Sequence, residues 1–163
     1  MIRLFFKSFL FTLIVPGIVA FALPAFITNE MSANEGVLSM LALLFMLLAI
    51  AIYCWCVWDF VIFGMGTPAP IDSPKKLVSS GLYCFTRNPM YIAVFCFITG
   101  WVLLYFNWPV FLYAMSIMSC IQVLVIYYEE PVLLQLFGNE YCDYKKDVNR
   151  WLPHQLLVFK TKA

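Results

Sequence analysis

Residues 88–128 read NPMYIAVFCFITGWVLLYFNWPVFLYAMSIMSCIQVLVIYY, with no Asp, Glu, Lys or Arg among them. A helix that crosses a bilayer takes about 20 apolar residues at about 1.5 Å rise each, so the stretch is too long for one span. It divides at Phe106-Asn107-Trp108-Pro109, where turn-forming residues precede a proline placed to open the next helix. The stretch therefore predicts a tight helical hairpin, roughly 89–105 and 109–129.

Upstream, residues 8–29 and 36–58 are also free of charge. They predict two further spans, roughly 6–28 and 37–63. Arg3 and Lys7 ahead of an apolar run, and Ala20-Phe21-Ala22 within it, resemble a signal peptide and its cleavage site. The apolar run continues past that point and three more spans follow, so the segment is read as a retained helix. Composition agrees: 64% of the chain is hydrophobic and 12% charged. A soluble domain is roughly half apolar and about a quarter charged, and one of this size needs a polar skin. Soluble, disordered and nucleic-acid-binding classes are thereby set aside, and the net charge of +1 offers no bulk attraction to polyanions.

The basic residues orient the spans. Arg3 and Lys7 precede the first; Lys75, Lys76 and Arg87 lie between the second and third; Lys145, Lys146, Arg150, Lys160 and Lys162 follow the fourth. The connection after the first span holds Glu30 and Glu35 but no Lys or Arg. An arrangement with both termini inside puts all ten basic residues on the cytoplasmic face, as the positive-inside rule requires. The expected fold is all-α: a polytopic membrane protein with four transmembrane helices, the last two a hairpin, followed by cytoplasmic amphipathic helices. Residues 1–163 form a single integral membrane domain, with 64–88 and 130–163 as its cytoplasmic segments.

Gly64-Met-Gly-Thr-Pro-Ala-Pro70 and Gly81-Leu-Tyr-Cys-Phe-Thr-Arg-Asn-Pro89 argue for a structured cytoplasmic loop. Pro131, after Glu129-Glu130, predicts a kink or stop in span four and the start of a new helix with Val132, Leu133, Leu136 and Phe137 on its apolar face. Gly138-Asn139 reads as a cap and restart, after which Tyr141, Tyr144, Val148 and Trp151 recur at helical spacing. The six cysteines are expected as free thiols, with Cys54 and Cys56 packing in a helix. His154 is the sole histidine, so neither a metal site nor a histidine-based triad is expected. Gly64-x-Gly66 lacks the context of a dinucleotide fingerprint. Asp59, inside the end of span two, is expected near the headgroups or capped by a hydroxyl. Arg87, Glu129 and Glu130 stand at the edge of the bilayer, where charges mark the interface or do chemistry.

Gly81-Leu-Tyr-x-x-x-Arg87-Asn-Pro-Met-Tyr91, a helical hairpin, Glu129-Glu-Pro-x-Leu133, Phe137-Gly-x-x-Tyr141-x-x-Tyr144 and Val148-x-Arg-Trp-x-Pro153 occur in that order. Together they resemble the integral-membrane methyltransferases, a group that includes isoprenylcysteine carboxyl methyltransferases and phospholipid N-methyltransferases. The Gly64–Pro70 stretch resembles bacterial members, which implies a bacterial inner membrane. The resemblance covers about residues 55–153. It implies methyl transfer from S-adenosylmethionine to a lipophilic acceptor, with no metal and with membrane lipid as partner. The cytoplasmic segments would then cap the cofactor site. Carried over by position, it makes Tyr83, Arg87, Asn88, Pro89, Tyr91, Glu129, Glu130, Tyr141, Tyr144 and Arg150 the cofactor-pocket residues. Isoprenylcysteine enzymes often have histidine where this chain has Asn88, which weakens assignment to that acceptor.

Charge chemistry agrees with the carry-over. S-adenosylmethionine presents an ammonium, a carboxylate and a sulfonium, so a pocket for it wants carboxylates and guanidinium donors close together. Arg87, Glu129, Glu130 and Arg150 are the candidates for catalysis. Arg87 or Arg150 would orient an anionic acceptor, and a glutamate would take the proton of an amine. A small four-span transporter is the alternative, but transporters hold their ionisable residues near mid-membrane. A non-catalytic membrane anchor would leave the polar residues at 81–91 and 129–150 unexplained.

Overall fold

In a computed structural model the described residues are 14–63 and 76–152, with Phe6 and Leu10. The Gly64–Pro70 stretch, His154 and the beginning of the first expected span lie outside them. Among the described residues every regular element is helical. We label the helices α1 (Ile14–Ile27), α2 (Val37–Ile62), α3 (Pro89–Tyr105), α4 (Trp108–Leu124), α5 (Glu130–Phe137) and α6 (Asn139–Asp147). Two π-helical turns interrupt them, Ile18–Ala22 within α1 and Val125–Glu129 between α4 and α5.

Val37–Phe63 and Trp108–Phe137 are long and apolar enough to cross a membrane, whereas Ile14–Ile27 and Pro89–Tyr105 are apolar but shorter. Met40, Leu44 and Leu47 on α2, and Met115 and Val123 on α4, stand exposed. Such apolar helix surfaces belong in lipid, not water.

The hairpin forms where the sequence expects it. Phe106 closes α3 in the left-handed region at φ 43°, Asn107 is extended, and Pro109 sits in the first turn of α4, where its missing N–H costs nothing. Asn34 satisfies the end of α3: its backbone N–H donates to the Leu104 carbonyl at 2.7 Å and its amide to Leu103 at 3.3 Å.

The core between the helices joins Val94 and Ile98 of α3 to Ala114 of α4, with Ala20, Tyr53 and Ile121 packed around them. α2 and α3 pack tightly at Gly100. A Cβ there would lie 2.6 Å from the Met46 side chain and 3.0 Å from the Ala42 carbonyl oxygen. Backbones meet this closely only over small residues. Gly100→Val is therefore expected to destabilise the protein by about 2 kcal/mol through overpacking, read as a lower thermal midpoint in detergent.

Pro131 does not stop the helix. The chain continues from α4 into α5 through the wide π-turn Val125–Glu129, and Pro131 falls in the first turn of α5. The turn takes up the missing N–H by lengthening the preceding loop of backbone, a usual cause of helix deformation at proline. α5 then ends at Gly138, and α6 restarts after it.

Candidate functional site

Where α3, α4, α5 and α6 converge they enclose a cavity of about 560 Å³. Its polar wall carries Tyr83, Arg87, Asn88, Tyr91, Glu129, Glu130, Tyr141 and Tyr144. Its apolar wall comes from Ile117, Ile121 and Leu124 of α4 and from Val15, Pro16 and Val19 of α1. One space thus has a charged part and an apolar part, an arm bounded by α1 and α4.

The two adjacent glutamates have different surroundings. Glu130, its side chain 9% exposed, meets the Arg87 guanidinium at 2.9 Å and the Lys145 ammonium at 3.5 Å. Arg150 grips it with two bonds, Nε at 2.7 Å and Nη2 at 3.0 Å, the forked geometry that suits guanidinium and carboxylate. Glu129 instead accepts one bond, from the Tyr91 hydroxyl at 2.9 Å, and pairs with no cation among the described residues. The π-turn that ends at Glu129 lets both side chains reach the cavity.

Arg87 stands on the side of Glu130. Its side chain is 10% exposed, its Nη1 is 3.5 Å from the Tyr141 hydroxyl, and its buried Nε has no partner among the described residues. A buried guanidinium N–H without an acceptor is costly and marks a place where a ligand oxygen is wanted.

The loop before α3 is tied to the segment after α6. The Arg87 N–H donates to the Asn149 carbonyl at 2.9 Å, while the Thr86 hydroxyl and the Asn88 amide both donate to the Arg150 carbonyl, at 2.9 and 3.1 Å. The Tyr144 hydroxyl donates to the Tyr83 carbonyl at 2.7 Å. Burial pushes the Tyr83 and Tyr144 phenols up. Burial, followed by the Glu130 carboxylate, pushes Tyr141 up to about 12. All three stay neutral donors at ordinary pH. The Arg150 guanidinium is held up by its bond to Glu130.

Of the ten residues expected at the site, eight line the cavity; Pro89 and Arg150 do not. Pro89 is buried at the opening of α3, where it fixes the entry of that helix. Arg150 is not among the cavity-lining residues and bonds Glu130. Lys145, read from sequence only as a positive charge, completes the cluster around Glu130 and lies 5.7 Å from the Tyr141 ring centre. The apolar wall was not legible, because cavity-facing and lipid-facing residues on a membrane helix are chemically alike.

Of the two expectations for Asp59, a hydroxyl cap is not seen at Oδ2. Asp59 is buried, 3% exposed, and its Oδ2 has no partner among the described residues. It abuts Gly81, which opens the turn carrying Tyr83 at φ +59°. A Cβ on Gly81 would lie 2.2 Å from Oδ2 and 3.3 Å from Trp55 Nε1. Gly81→Ala is expected to displace that turn, costing about 1–2 kcal/mol for the left-handed backbone alone. The measurement is a thermal midpoint together with protease sensitivity at 76–88, both of which should worsen.

A family model described as phospholipid methyltransferase matches residues 37–140, which includes α2 to α5 and much of the polar wall. The chain is 35% identical over 83 residues to a protein-S-isoprenylcysteine O-methyltransferase of Tribolium castaneum. That alignment takes in 50% of this chain and 29% of the insect protein, so the chain spans under a third of that relative's length. No solved structure matches.

Proposed function

Because the chain belongs to the phospholipid methyltransferase family, we propose that it transfers a methyl group from S-adenosylmethionine to a lipophilic acceptor at the cytoplasmic face of a membrane. The observation that carries this reading is one cavity with two chemistries: a charged part where, among the described residues, Arg87 Nε has no acceptor and Glu129 no cation, and an apolar arm lined by α1 and α4. S-adenosylmethionine supplies an electrophilic methyl group on a sulfonium.

The residues present fit that group. The volume lies within the roughly 300–1,000 Å³ of small-molecule pockets. Its amino-acid end carries a carboxylate and an ammonium. Among the described residues Arg87 Nε has no acceptor and Glu129 no cation, so Arg87 would hold the first and Glu129 the second. Tyr83, Tyr141 and Tyr144 offer aromatic surface nearby. Glu130 keeps Arg87 in place, and the apolar wall excludes water from the reacting end.

Displacement at a methyl group depends on alignment more than on acid–base help. A thiolate or carboxylate acceptor needs no base, and attack on a sulfonium removes charge, which a poorly solvated site favours. A protonated amine acceptor would have to lose its proton before it could attack.

In this reading α1 to α4 are four spans with both termini cytoplasmic, in a bacterial inner membrane. The whole chain is then one membrane domain, and the segments 64–88 and 130–163 cap the site. Purified protein in nanodiscs should bind S-adenosylmethionine in calorimetry and pass a labelled methyl group to a component of a panel of membrane lipids, hydrophobic thiols and prenylcysteine analogues. No binding together with no labelled product would overturn the proposal.

A further inference from the structure

The π-turn in α1 leaves two carbonyls without helical donors. In an α-helix the Val19 carbonyl would accept from Leu23 and the Ala20 carbonyl from residue 24. Here the Leu23 N–H goes to the Ile18 carbonyl instead, and residue 24 is proline, which has no N–H. In an apolar surrounding such groups must find donors elsewhere. They do: the Tyr113 hydroxyl of α4 donates to Val19, and Trp101 Nε1 of α3 donates to Ala20 at 2.9 Å. Trp101 is buried, and its ring meets Phe21 edge to face at 6.0 Å between centroids.

Val19 also lines the cavity, as do Val15 and Pro16 one turn before it. The two bonds therefore fasten the stretch of α1 that forms the apolar arm's wall. We infer that Trp101 and Tyr113 are positioning residues that set the width of the acceptor arm, clamping α1 through the carbonyls that the π-turn and Pro24 release. They touch neither the charged chamber nor its ligands. The inference rests on the reading of that arm as the acceptor's place, and it adds what determines which acceptor chains the arm admits.

The test uses the full chain in nanodiscs with Trp101→Phe, Tyr113→Phe and the pair, each keeping a ring while removing the donor. Cys120 lines the same cavity and reports on the wall. Its alkylation by a lipophilic maleimide, followed by peptide mapping, should accelerate about tenfold in the double variant, the effect of roughly 1.4 kcal/mol. Over a series of acceptor chain lengths, KM should rise and the preferred length should broaden while kcat holds. S-adenosylmethionine affinity should stay within about twofold, since the chamber is untouched.

Pro24→Ala returns an N–H that the Val19 carbonyl takes in the register of the π-turn and the Ala20 carbonyl in that of an α-helix. It should therefore shrink the effect of the double variant on Cys120 labelling, which merely bulky packing roles for the two rings would not. Unchanged Cys120 labelling in the double variant would overturn the clamp, and so would a double-variant effect of equal size with and without Pro24→Ala. Absence of any methyl transfer in the unaltered protein would sink the proposed function, yet Cys120 labelling would still decide the clamp.

Discussion

Glu129→Ala should weaken S-adenosylmethionine binding by about a hundredfold or more and reduce methyl transfer at least as far, with the fold retained. Among the described residues the carboxylate bonds the Tyr91 hydroxyl at 2.9 Å and no cation, so its removal strands no charged group among them. What is lost is the negative charge facing the chamber, and a charged contact in a desolvated site is worth several times a neutral one. Glu129→Gln keeps an acceptor for Tyr91 but not the charge, so it should fall close to the alanine variant in binding. Calorimetry in nanodiscs measures the affinity, and thermal unfolding should find stability unaffected within about 1 kcal/mol. Wild-type affinity in both variants would refute the role given to Glu129.

The neighbouring substitution should fail differently. Glu130→Ala leaves Arg87, Arg150 and Lys145 around an empty centre. Removing one member of a buried ion cluster costs about 3–5 kcal/mol, a large share of the roughly 5–15 kcal/mol that holds a domain together. Arg87 would no longer be aimed, and the link from α5 to the segment after α6 would open. The expected result is a thermal midpoint lowered by several degrees and rapid proteolysis beyond residue 137, with activity lost as a consequence. A midpoint equal to wild type would show that the cluster holds nothing. Adjacent residues of one type thus carry opposite signatures: Glu129 in ligand affinity, Glu130 in stability.

That contrast could not be read from Glu129-Glu130-Pro131. Both glutamates are the same acid at the same depth, and helical spacing says only that they point about 100° apart. The distinction arises because Arg87, Lys145 and Arg150, distant in sequence, arrive on the side of Glu130. Arg150 was recognised as part of the site, but its place behind Glu130 depends on how the chain turns after α6. Pro89 was recognised too, and serves the start of α3 instead of the cavity. Trp101 and Tyr113 gave no local signal, and Lys145 none beyond its charge. Their partners are backbone carbonyls or charges on other elements, and a sequence does not reveal which carbonyls a widened turn will release.

The uncharged run 88–128, its break at Phe106–Pro109 and the scarcity of charge elsewhere sufficed to determine an all-helical chain with a hairpin. These features report solvent and backbone geometry, which act residue by residue: apolar length sets how a segment meets lipid, and proline sets where a helix can begin. The order of the fragments from Gly81 to Pro153 sufficed for the family. Tertiary structure decided the rest: which carboxylate is saturated and which stands open, and which apolar side chains face a cavity instead of lipid. It also decided how Pro24 and Pro131 are absorbed, through widened turns in place of breaks. Those outcomes depend on partners brought together from separate helices, and in a membrane, where every helix face is apolar, hydrophobic patterning cannot announce which face will find them.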